Sequence, residues 1–236
     1  MVKKIIFVFS LMFYVVILLI PCRAQQIQRG YLYNRTVFSD DFYNDNNCWI
    51  AEIERPDSSS YKIANGNLDI NTSSGATLWF KNKLTGNIII TYEATVVDSG
   101  GANDRVSDLN VFWMAIDPDS PNLFTRDGKF TSYNNLNLYY VGYGGNNNTT
   151  TRFRKYYDRT KPVIKEYLDK DHLLGGNKKY YIKIICDDGT TSYAVDNELL
   201  FELKDRTPLV SGYFGIRAFK THLRINNFKV ETINGK

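Results

Sequence analysis

Histidine, cysteine and helical periodicity are all scarce in this chain of 236 residues. It contains only two histidines, His172 and His222, and three cysteines, and none of them has the paired spacing of a zinc motif. We therefore expect no metal site, and no cofactor can be assigned. Cys48 and Cys186 could pair in an oxidising compartment, which the sequence leaves open. After the first 24 residues almost no segment has the helical period, which argues against a helical bundle.

Clusters of basic residues are also absent. The chain has 29 Lys and Arg residues against 25 Asp and Glu, for a formal net charge of +4. Loss of the first 24 residues, which include Lys3, Lys4 and Arg23, would reduce that charge to +1. A phosphate-binding surface needs a basic excess or a run of Lys and Arg, whereas this chain interleaves its charges. We therefore expect no nucleic acid partner.

The N-terminus has the pattern of a secretory signal peptide. Lys3 and Lys4 precede the uncharged apolar run 5–20, and the small residue Ala24 fits a cleavage site. The run is shorter than the about 20 residues that a membrane-spanning helix needs. These features predict export to the periplasm or cell surface. Lipid attachment at Cys22 and an uncleaved signal anchor are the alternatives, and either would add a membrane contact.

The rest of the chain alternates apolar and polar residues in short segments separated by Gly, Asn and Asp. In residues 88–96 and 109–115, alternation places the apolar side chains on one face. Such segments predict an all-β fold, a two-sheet antiparallel jelly-roll sandwich that follows an N-terminal signal helix. The length suits one core, so we expect a signal peptide over 1–24 and a single domain over 25–236.

Three further expectations concern single elements. Trp113 shares a face with Ala115, opposite Met114, and should lie in the core or line a groove. Residues 193–201 read as a hairpin, because the Asp-Asn pair at its centre tolerates a left-handed turn. Residues 158–177 show no strand alternation, which predicts a long loop that is functional or mobile, such as a lid.

Three segments, 104–114, 150–156 and 212–219, place polar and aromatic side chains on strand faces where a plain sandwich would not need them. The second segment brings two arginines to the same side, and adjacent guanidinium groups repel unless they face water, pair with carboxylates or bind an anion. A salt-bridged strand face and an anion-binding surface both stay open. The side chains concerned are Asp108, Asn110, Phe112 and Met114; Arg152, Arg154 and Tyr156; and Tyr213, Arg217 and Phe219.

Aromatic rings and planar polar groups are the components of carbohydrate-binding surfaces, since rings cover sugar C–H faces and polar groups hydrogen-bond the hydroxyls. Aromatic residues make up 14% of the chain, and tyrosines and asparagines cluster within residues 139–148. Tyrosine is also common in strands and asparagine in turns, which is the structural alternative. Together with predicted export, this composition favours a polysaccharide or oligosaccharide partner.

The motifs DRVSDLN (104–110), FWMA (112–115), YYVGYGGN (139–146), TTTRFR (149–154) and GYFGIR (212–217) resemble an uncharacterised family of exported bacterial domains in the concanavalin A-like lectin and glucanase superfamily. The resemblance covers most of the chain after the signal peptide. It implies a jelly roll with a concave, glycan-facing sheet and a setting in polysaccharide degradation. It assigns no catalytic residues, and fold alone does not choose among lectins, hydrolases and lyases.

The residue types favour one class within that superfamily. Retaining glucanases of this fold carry an E-x-D-x-x-E pattern, which supplies two catalytic carboxylates. The chain lacks this pattern, and Glu52 and Glu54 are expected to be solvated. Lyases instead neutralise a uronate carboxylate with Arg or Asn and use Tyr or His as base and acid for β-elimination. We predict a polysaccharide lyase acting on an acidic glycan; a glycoside hydrolase with an atypical site and a non-catalytic glycan-binding module are the alternatives.

Ten residues are the candidate site. His222 follows the strand of Arg217, and because a histidine side chain exchanges a proton near neutral pH, it is the predicted catalytic base or acid, with Tyr143 as its partner. A hydrogen-bonded structural histidine is the alternative. The predicted substrate-binding residues are Arg105, Asp108, Asn110, Asn146, Arg152, Arg154, Tyr156 and Arg217.

Overall fold

The computed structural model describes residues 33–234, so the signal-peptide prediction and Cys22 lie outside the described residues. No helix within that range is long and apolar enough to cross a membrane. Strands dominate it, with 3₁₀ turns at Phe130–Tyr133 and Lys170–His172 and one turn at Gly145–Asn148. The strands are β1 (Tyr33–Asp40), β2 (Trp49–Ile53), β3 (Ser60–Ala64), β4 (Asn67–Phe80), β5 (Leu84–Thr85), β6 (Ile88–Val96), β7 (Leu109–Ile116), β8 (Asn137–Gly144), β9 (Thr150–Tyr156), β10 (Val163–Tyr167), β11 (Lys179–Asp187), β12 (Thr190–Val195), β13 (Glu198–Lys204) and β14 (Ser211–Asn234).

The long strand β14 links two layers. Its first half pairs with β7 and with the second half of β4, and its second half pairs with β6 and β1. We name β10, β9, β8, β7, the first half of β14, the second half of β4 and β2 the front sheet. The back sheet contains β13, β12, β11, β6, the second half of β14 and β1. The strand pairs are antiparallel, and the predicted all-β jelly-roll sandwich is confirmed.

Apolar side chains from both sheets meet in one main core. Trp113 of the front sheet is fully buried and stacks on Phe153, with ring centroids 5.7 Å apart. Its indole N–H donates to Thr191 Oγ1 of the back sheet at 3.0 Å. The alternate residues of β6 from Ile88 to Val96 are buried in the same core. Burial of such large apolar side chains supplies most of the stabilisation, and the expectation that Trp113 belongs to the core is confirmed.

A bulge in β7 changes the face that its last residues occupy. Met114 has a positive φ of 51°, and the register with β8 shifts between Trp113 and Ile116. Met114 therefore packs in the main core on the side of Trp113, whereas Ala115 packs on the opposite face. Strict alternation predicts the reverse for both residues, and this expectation is wrong because the bulge inserts one residue into the period-two pattern.

The structure confirms the predicted hairpin and corrects the predicted long loop. Residues 193–201 form the predicted hairpin between β12 and β13, with both residues of the Asp-Asn turn at positive φ. The predicted loop over 158–177 is wrong in part, because β10 lies within it and pairs with β9. Most side chains of β10 are exposed, so the sequence gives it no alternating pattern. Cys48 and Cys186 are both free thiols, so they form no disulfide.

Residues 117–135, between β7 and β8, fold over the outer face of the front sheet, and we name them the cover segment. Glu52 of β2, whose exposed fraction is 5%, accepts hydrogen bonds from the Arg126 backbone N–H at 2.6 Å and from Tyr133 Oη at 2.9 Å. Glu54 is also hydrogen-bonded and half-buried, so the expectation that both glutamates are solvated is wrong. Beneath the segment lies a second apolar cluster of Trp79, Phe112, Ala115, Leu123, Tyr133, Leu136, Leu138 and Tyr156.

Candidate functional site

A cleft of about 580 Å³ lies on the outer face of the front sheet, beside the cover segment. Side chains of β7, β8, β9 and β14 form its floor, and the turn at Gly145–Asn148 and Phe130 of the cover segment form its rim. Because side chains alternate along a strand, the strand residues that line the cleft are two positions apart, as Tyr140 and Gly142 are in β8. All eight predicted substrate-binding residues line it: Arg105, Asp108, Asn110, Asn146, Arg152, Arg154, Tyr156 and Arg217.

Gly142 of β8 leaves space at the floor of the cleft. A Cβ atom at this position would lie 2.7 Å from Tyr140 Oη and 3.2 Å from Asn110 Oδ1. A residue with a side chain would therefore displace the two polar groups or fill the space above them. The absence of a side chain at this position leaves the tyrosine hydroxyl and the amide oxygen next to the space of the cleft.

Arg217 of β14 is a buried cation with neutral partners. Its exposed fraction is 1%, and its Nη1 donates to Thr77 Oγ1 and to the carbonyl oxygen of Gly128, both at 3.0 Å. The rings of Phe130 and Tyr133 lie 5.0 and 5.1 Å from the guanidinium carbon. Burial lowers the pKa of Arg217 below its usual range. No carboxylate among residues 33–234 lies within ion-pair distance of this guanidinium.

Asn110 of β7 carries an unsatisfied acceptor. The side chain is 2% exposed, and its Nδ2 donates to Asp108 Oδ1 at 3.3 Å. Its Oδ1 is buried and has no hydrogen-bond partner in the described part of the chain. A buried carbonyl oxygen without a donor costs about 1–3 kcal/mol. The position is therefore suited to a donor that is not part of the protein, such as a ligand hydroxyl or a water molecule.

Arg105 and Asp108 hold one wall of the cleft together. Arg105 Nη2 lies 2.6 Å from Asp108 Oδ2, and its Nη1 donates to Asn147 Oδ1 at 2.5 Å. Its Nε donates to the carbonyl oxygen of Lys220 at 2.9 Å, next to the end of the floor in β14. Ser107 Oγ also donates to Asp108 Oδ2, at 2.6 Å. The guanidinium of Arg105 is thus largely engaged by the protein itself.

The two arginines of β9 differ in their partners. Arg152, at the edge next to β10, pairs with Glu166, whereas Asp104 and Asp108, the carboxylates that the sequence suggests as partners, bond to His222 and Arg105. Arg154 donates through Nη1 to the carbonyl oxygen of Lys161 at 2.8 Å and has no carboxylate partner within residues 33–234. Two guanidinium groups, those of Arg154 and Arg217, therefore reach the cleft without a carboxylate of residues 33–234 within ion-pair distance, and Asp108 and Glu54 act on Arg217 only from farther away.

Two tyrosines lie between these charges. Burial raises the pKa of Tyr156 to about 12, while the nearby Arg154 and Arg217 act in the opposite direction. Burial also raises the pKa of Tyr140, and the same two guanidinium groups again oppose the rise. The two rings are in T-shaped contact, with centroids 6.0 Å apart. Both phenols are neutral in the free protein and offer a hydroxyl to a bound molecule.

The charge balance of the cleft is strongly positive. Four arginines and Lys161 line it, against the single carboxylate of Asp108. Within residues 33–234 no group of three or more His, Cys, Asp or Glu side chains is placed to hold a metal ion. The sequence reasoning did not single out Tyr140, Gly142, Lys161 or Phe130. Alternation would have found the first two, because they share a face of β8 opposite the buried Tyr139.

The structure does not bring Tyr143 to the cleft. The side chain is 4% exposed and packs in the main core, in T-shaped contact with Tyr180 at 5.4 Å. Burial raises its pKa. The physical reason is the alternation of β8, which turns Gly142 towards the cleft and the next residue towards the core. The prediction of Tyr143 rests on its place among the clustered tyrosines in the sequence and does not consider which face of β8 its side chain occupies.

His222 also lies outside the cleft, fixed between two carboxylates. Its Nδ1 is 2.8 Å from Asp104 Oδ1, and its Nε2 is 3.0 Å from Asp69 Oδ1. The hydrogen bond from His222 lowers the pKa of Asp104. The ring connects β14, β4 and the loop before β7, the loop that carries Arg105. This geometry agrees with the structural alternative for His222, and the ring is not among the side chains that form the cleft.

Solved structures with the same architecture have little sequence in common with this chain. A protein of unknown function with a galectin-like fold from Bacillus subtilis matches with a TM-score of 0.67 and 16% identity, over 86% of this chain and all of that one. The carbohydrate binding module CBM66 from Bacillus subtilis has a TM-score of 0.55 and 14% identity, over 78% and 96%. An endo-beta-1,3-glucanase from Pyrococcus furiosus has a TM-score of 0.61 and 10% identity, over 87% and 97%.

These similarities establish the fold and confirm the expected concanavalin A-like architecture. No curated protein matches the sequence. A family model described as "Domain of unknown function (DUF6250)" matches residues 70–228, which is more than half of the chain and contains all the residues that line the cleft. The chain therefore belongs to the DUF6250 family.

Proposed function

We propose that the cleft binds a saccharide carrying carboxylate groups. The observation that carries this proposal is the pair of guanidinium groups, Arg154 and Arg217, that reach the cleft without a carboxylate partner. A buried charge is costly unless it is paired, and a planar guanidinium matches a carboxylate with two parallel hydrogen bonds. A uronate carboxylate would supply the missing partner.

The other groups of the cleft suit the sugar ring. The buried Oδ1 of Asn110 would accept a hydrogen bond from a sugar hydroxyl and so satisfy an acceptor that the protein leaves unpaired. Phe130 and Phe219 are partly exposed at the rim, where their faces can cover the apolar side of a sugar. A carbohydrate partner also agrees with the carbohydrate binding module and the glucanase among the similar structures.

The chemistry that this arrangement supports best is β-elimination. Hydrolysis with two carboxylates needs a pair about 5–9.5 Å apart, and Asp108, the single carboxylate on the cleft, is held by Arg105. In β-elimination the guanidinium groups neutralise the uronate carboxylate, which acidifies the proton on the adjacent carbon. A base removes this proton, a carbon–carbon double bond forms, and the bond to the glycosidic oxygen breaks as that oxygen takes a proton from an acid.

Tyr140 and Tyr156 replace the predicted pair His222 and Tyr143 in these roles. Tyr156, with its raised pKa, is the neutral donor that would protonate the leaving oxygen. Tyr140 would be the base because its hydroxyl lies at the floor beside Gly142 and Asn110; burial raises the pKa of this phenol, and Arg154 and Arg217 oppose that rise. The N-terminal signal pattern supports the further proposal that the protein acts after export, in the periplasm or at the cell surface.

The test is an assay of the purified protein with polygalacturonate, alginate and glucuronan. β-Elimination produces an unsaturated uronate, and the ultraviolet absorbance of its conjugated double bond should rise with the wild type. Tyr140→Phe should lose this activity, while Arg159→Ala, an exposed arginine outside the cleft, should keep it. New reducing ends without the absorbance would indicate hydrolysis instead. Binding without either product would identify a non-catalytic glycan-binding module.

A further inference from the structure

The cleft is closed on the side of β4. Its floor crosses β9, β8, β7 and β14 in spatial order, and the next strand, β4, presents Thr77 beside Arg217. The cover segment occupies this position, because the carbonyl oxygen of Gly128 bonds to the same guanidinium. Phe130 continues the barrier as part of the cleft wall. A saccharide lying across the strands would therefore meet backbone after Arg217.

The contact between the cover segment and the sheet is too close for a molecule to pass between them. A Cβ atom on Gly75 of β4 would lie 2.3 Å from the carbonyl oxygen of Gly128. A Cβ atom on Gly128 would lie 2.5 Å from the backbone nitrogen of Glu54. Gly128 also has a φ of +83°, a conformation that side chains disfavour. Two glycines thus let the backbones touch and seal this end.

The barrier is built as a fixed part of the fold. Arg126 pairs with the buried carboxylate of Asp117 at 2.7 Å and donates to the carbonyl oxygens of Ser132 and Leu123 at 2.8 and 2.7 Å. The side chains of Arg126 and Asp117 are 7% and 6% exposed. The hydrogen bonds of Glu52 add a second anchor between the segment and β2. The bonds of Arg126 keep the segment itself rigid, and opening this end would break the bonds that join the segment to the sheet: those of the buried Glu52 and that of the Gly128 carbonyl oxygen with Arg217.

The opposite side of the cleft is more exposed. Arg152 and Lys161 lie next to the edge strand β10 and are only half-buried, and Asn146 at the rim is exposed. Exposure thus falls across the floor, from these residues to the fully buried Arg217. A chain entering from the β10 side would place its first residue against Arg217 and its following residues against the exposed cations.

We infer that the cleft recognises the end of an acidic glycan chain, with the carboxylate of the terminal sugar at Arg217, and does not accept the interior of a polymer. This inference rests on the proposed function. An interior segment would need an exit beyond β14, and the backbone of the cover segment fills that position. The substrate class is therefore an oligosaccharide or polysaccharide that ends in a uronate.

The experiment measures how the number of protein-binding sites per gram of glycan depends on the length of the glycan chain. Polygalacturonate, alginate and glucuronan are each cut to a series of lengths and titrated at equal uronate mass into the Tyr140→Phe variant, which prevents turnover. The expected result is that the number of sites per gram rises in proportion to the number of chain ends, with one affinity per end. Arg217→Met should abolish this binding at every length, and Arg159→Ala should leave it unchanged.

The outcomes separate this inference from the proposed function. An equal number of sites per gram at all lengths, still lost in Arg217→Met, would mean that interior segments bind and would overturn the inference alone. Absence of binding by every glycan at every length would overturn the proposed function, and the inference with it. Binding that Arg217→Met does not change would place the glycan outside the cleft and would also contradict both.

Discussion

The outer face of the front sheet has two halves, one covered by the cover segment and one forming the cleft, and the buried arginines at the two halves have different partners. Within the cover segment over one half, Arg126 has an ion pair with Asp117 and donates to the carbonyl oxygens of Ser132 and Leu123. In the cleft, Arg217 is at least as deeply buried but contacts only a hydroxyl, a carbonyl oxygen and two aromatic rings. One arginine lies in the cover segment and the other on the sheet beside it, and they differ in whether a carboxylate of the described residues lies within ion-pair distance.

Under the proposed function, this difference separates residues that stabilise the fold from residues that bind a ligand. A buried guanidinium and its carboxylate neutralise each other. Removing one of the two residues therefore leaves the charge of the other buried and uncompensated. A buried guanidinium without one costs folding free energy, so its presence needs another explanation. The cleft adds a second group of this kind in the unpaired Oδ1 of Asn110. The cleft half thus holds these unpaired groups beside two ion pairs, Arg105–Asp108 and Arg152–Glu166.

The largest expected effect comes from breaking the paired half. Arg126→Met should lower the free energy of unfolding by about 3–5 kcal/mol, because Asp117 is left as an uncompensated buried charge. Arg217→Met removes a buried charge that has no carboxylate partner and should leave stability unchanged or raise it. Urea unfolding of both variants measures the contrast. An equal loss of stability in the two variants would show that the halves do not differ as described.

The next effect concerns ligand binding in the cleft half. Arg154→Ala should weaken the binding of an acidic oligosaccharide by roughly 1.5–3 kcal/mol, the range for hydrogen bonds to charged groups, with the fold intact. Arg159→Ala is the matched control, since Arg159 is exposed and pairs with Asp119 away from the cleft. Calorimetry compares the two variants with the wild type. Equal affinities in all three proteins would mean that Arg154 is a surface residue that does not contribute to the binding of the oligosaccharide.

A smaller effect is expected from filling the floor. Gly142→Ala places a methyl group 2.7 Å from Tyr140 Oη, which must move, and we expect a loss of about 1–2 kcal/mol in oligosaccharide binding from this overpacking. The thermal midpoint should change little, because the methyl group points into the cleft. Gly145→Ala, at the rim with no atom closer than 3.6 Å, is the control. Unchanged binding in Gly142→Ala would exclude this part of the floor from the site.

The smallest effect concerns His222, which fastens the loop that carries Arg105. His222→Ala should cost about 1 kcal/mol of stability at neutral pH, the net worth of a typical hydrogen bond. The pKa of Asp104 is lowered in the folded state, so its stabilising contribution is present above the unfolded pKa and lost as pH falls through the folded one. The variant should therefore lose less stability than the wild type on acidification. Parallel acid-unfolding curves would contradict this account.

The strand faces could be predicted from sequence because alternation is a local property. It placed Arg152, Arg154 and Tyr156 on one side and the intervening Phe153 in the core, as the structure has them. It failed at Met114, where a bulge that no local pattern marks reverses the faces. The exposed strand β10 was missed for a related reason, since an edge strand with few buried residues has no apolar alternation.

Partners distant in sequence could not be predicted. The contacts of His222 with Asp69 and Asp104 join residues more than 100 positions apart. The buried carboxylate of Glu52 likewise accepts hydrogen bonds from two residues distant in sequence, Trp79 and Tyr133. Such pairings follow from the fold of the whole chain, and single-residue chemistry gives no signal for them. For that reason residue type and strand face predict which side chains line the cleft, whereas the proposed pair His222 and Tyr143 lies outside it.

The proposed function requires that the unpaired guanidinium groups of the cleft bind the carboxylate of a uronate. The most direct test is calorimetry with two matched ligands: a uronate oligosaccharide, and the same oligosaccharide after chemical reduction of its carboxyl groups to neutral hydroxymethyl groups. The account predicts that the acidic ligand binds more tightly by about 1.5–3 kcal/mol, and that Arg217→Met abolishes this difference. Equal affinity of the wild type for the two ligands would contradict the claim.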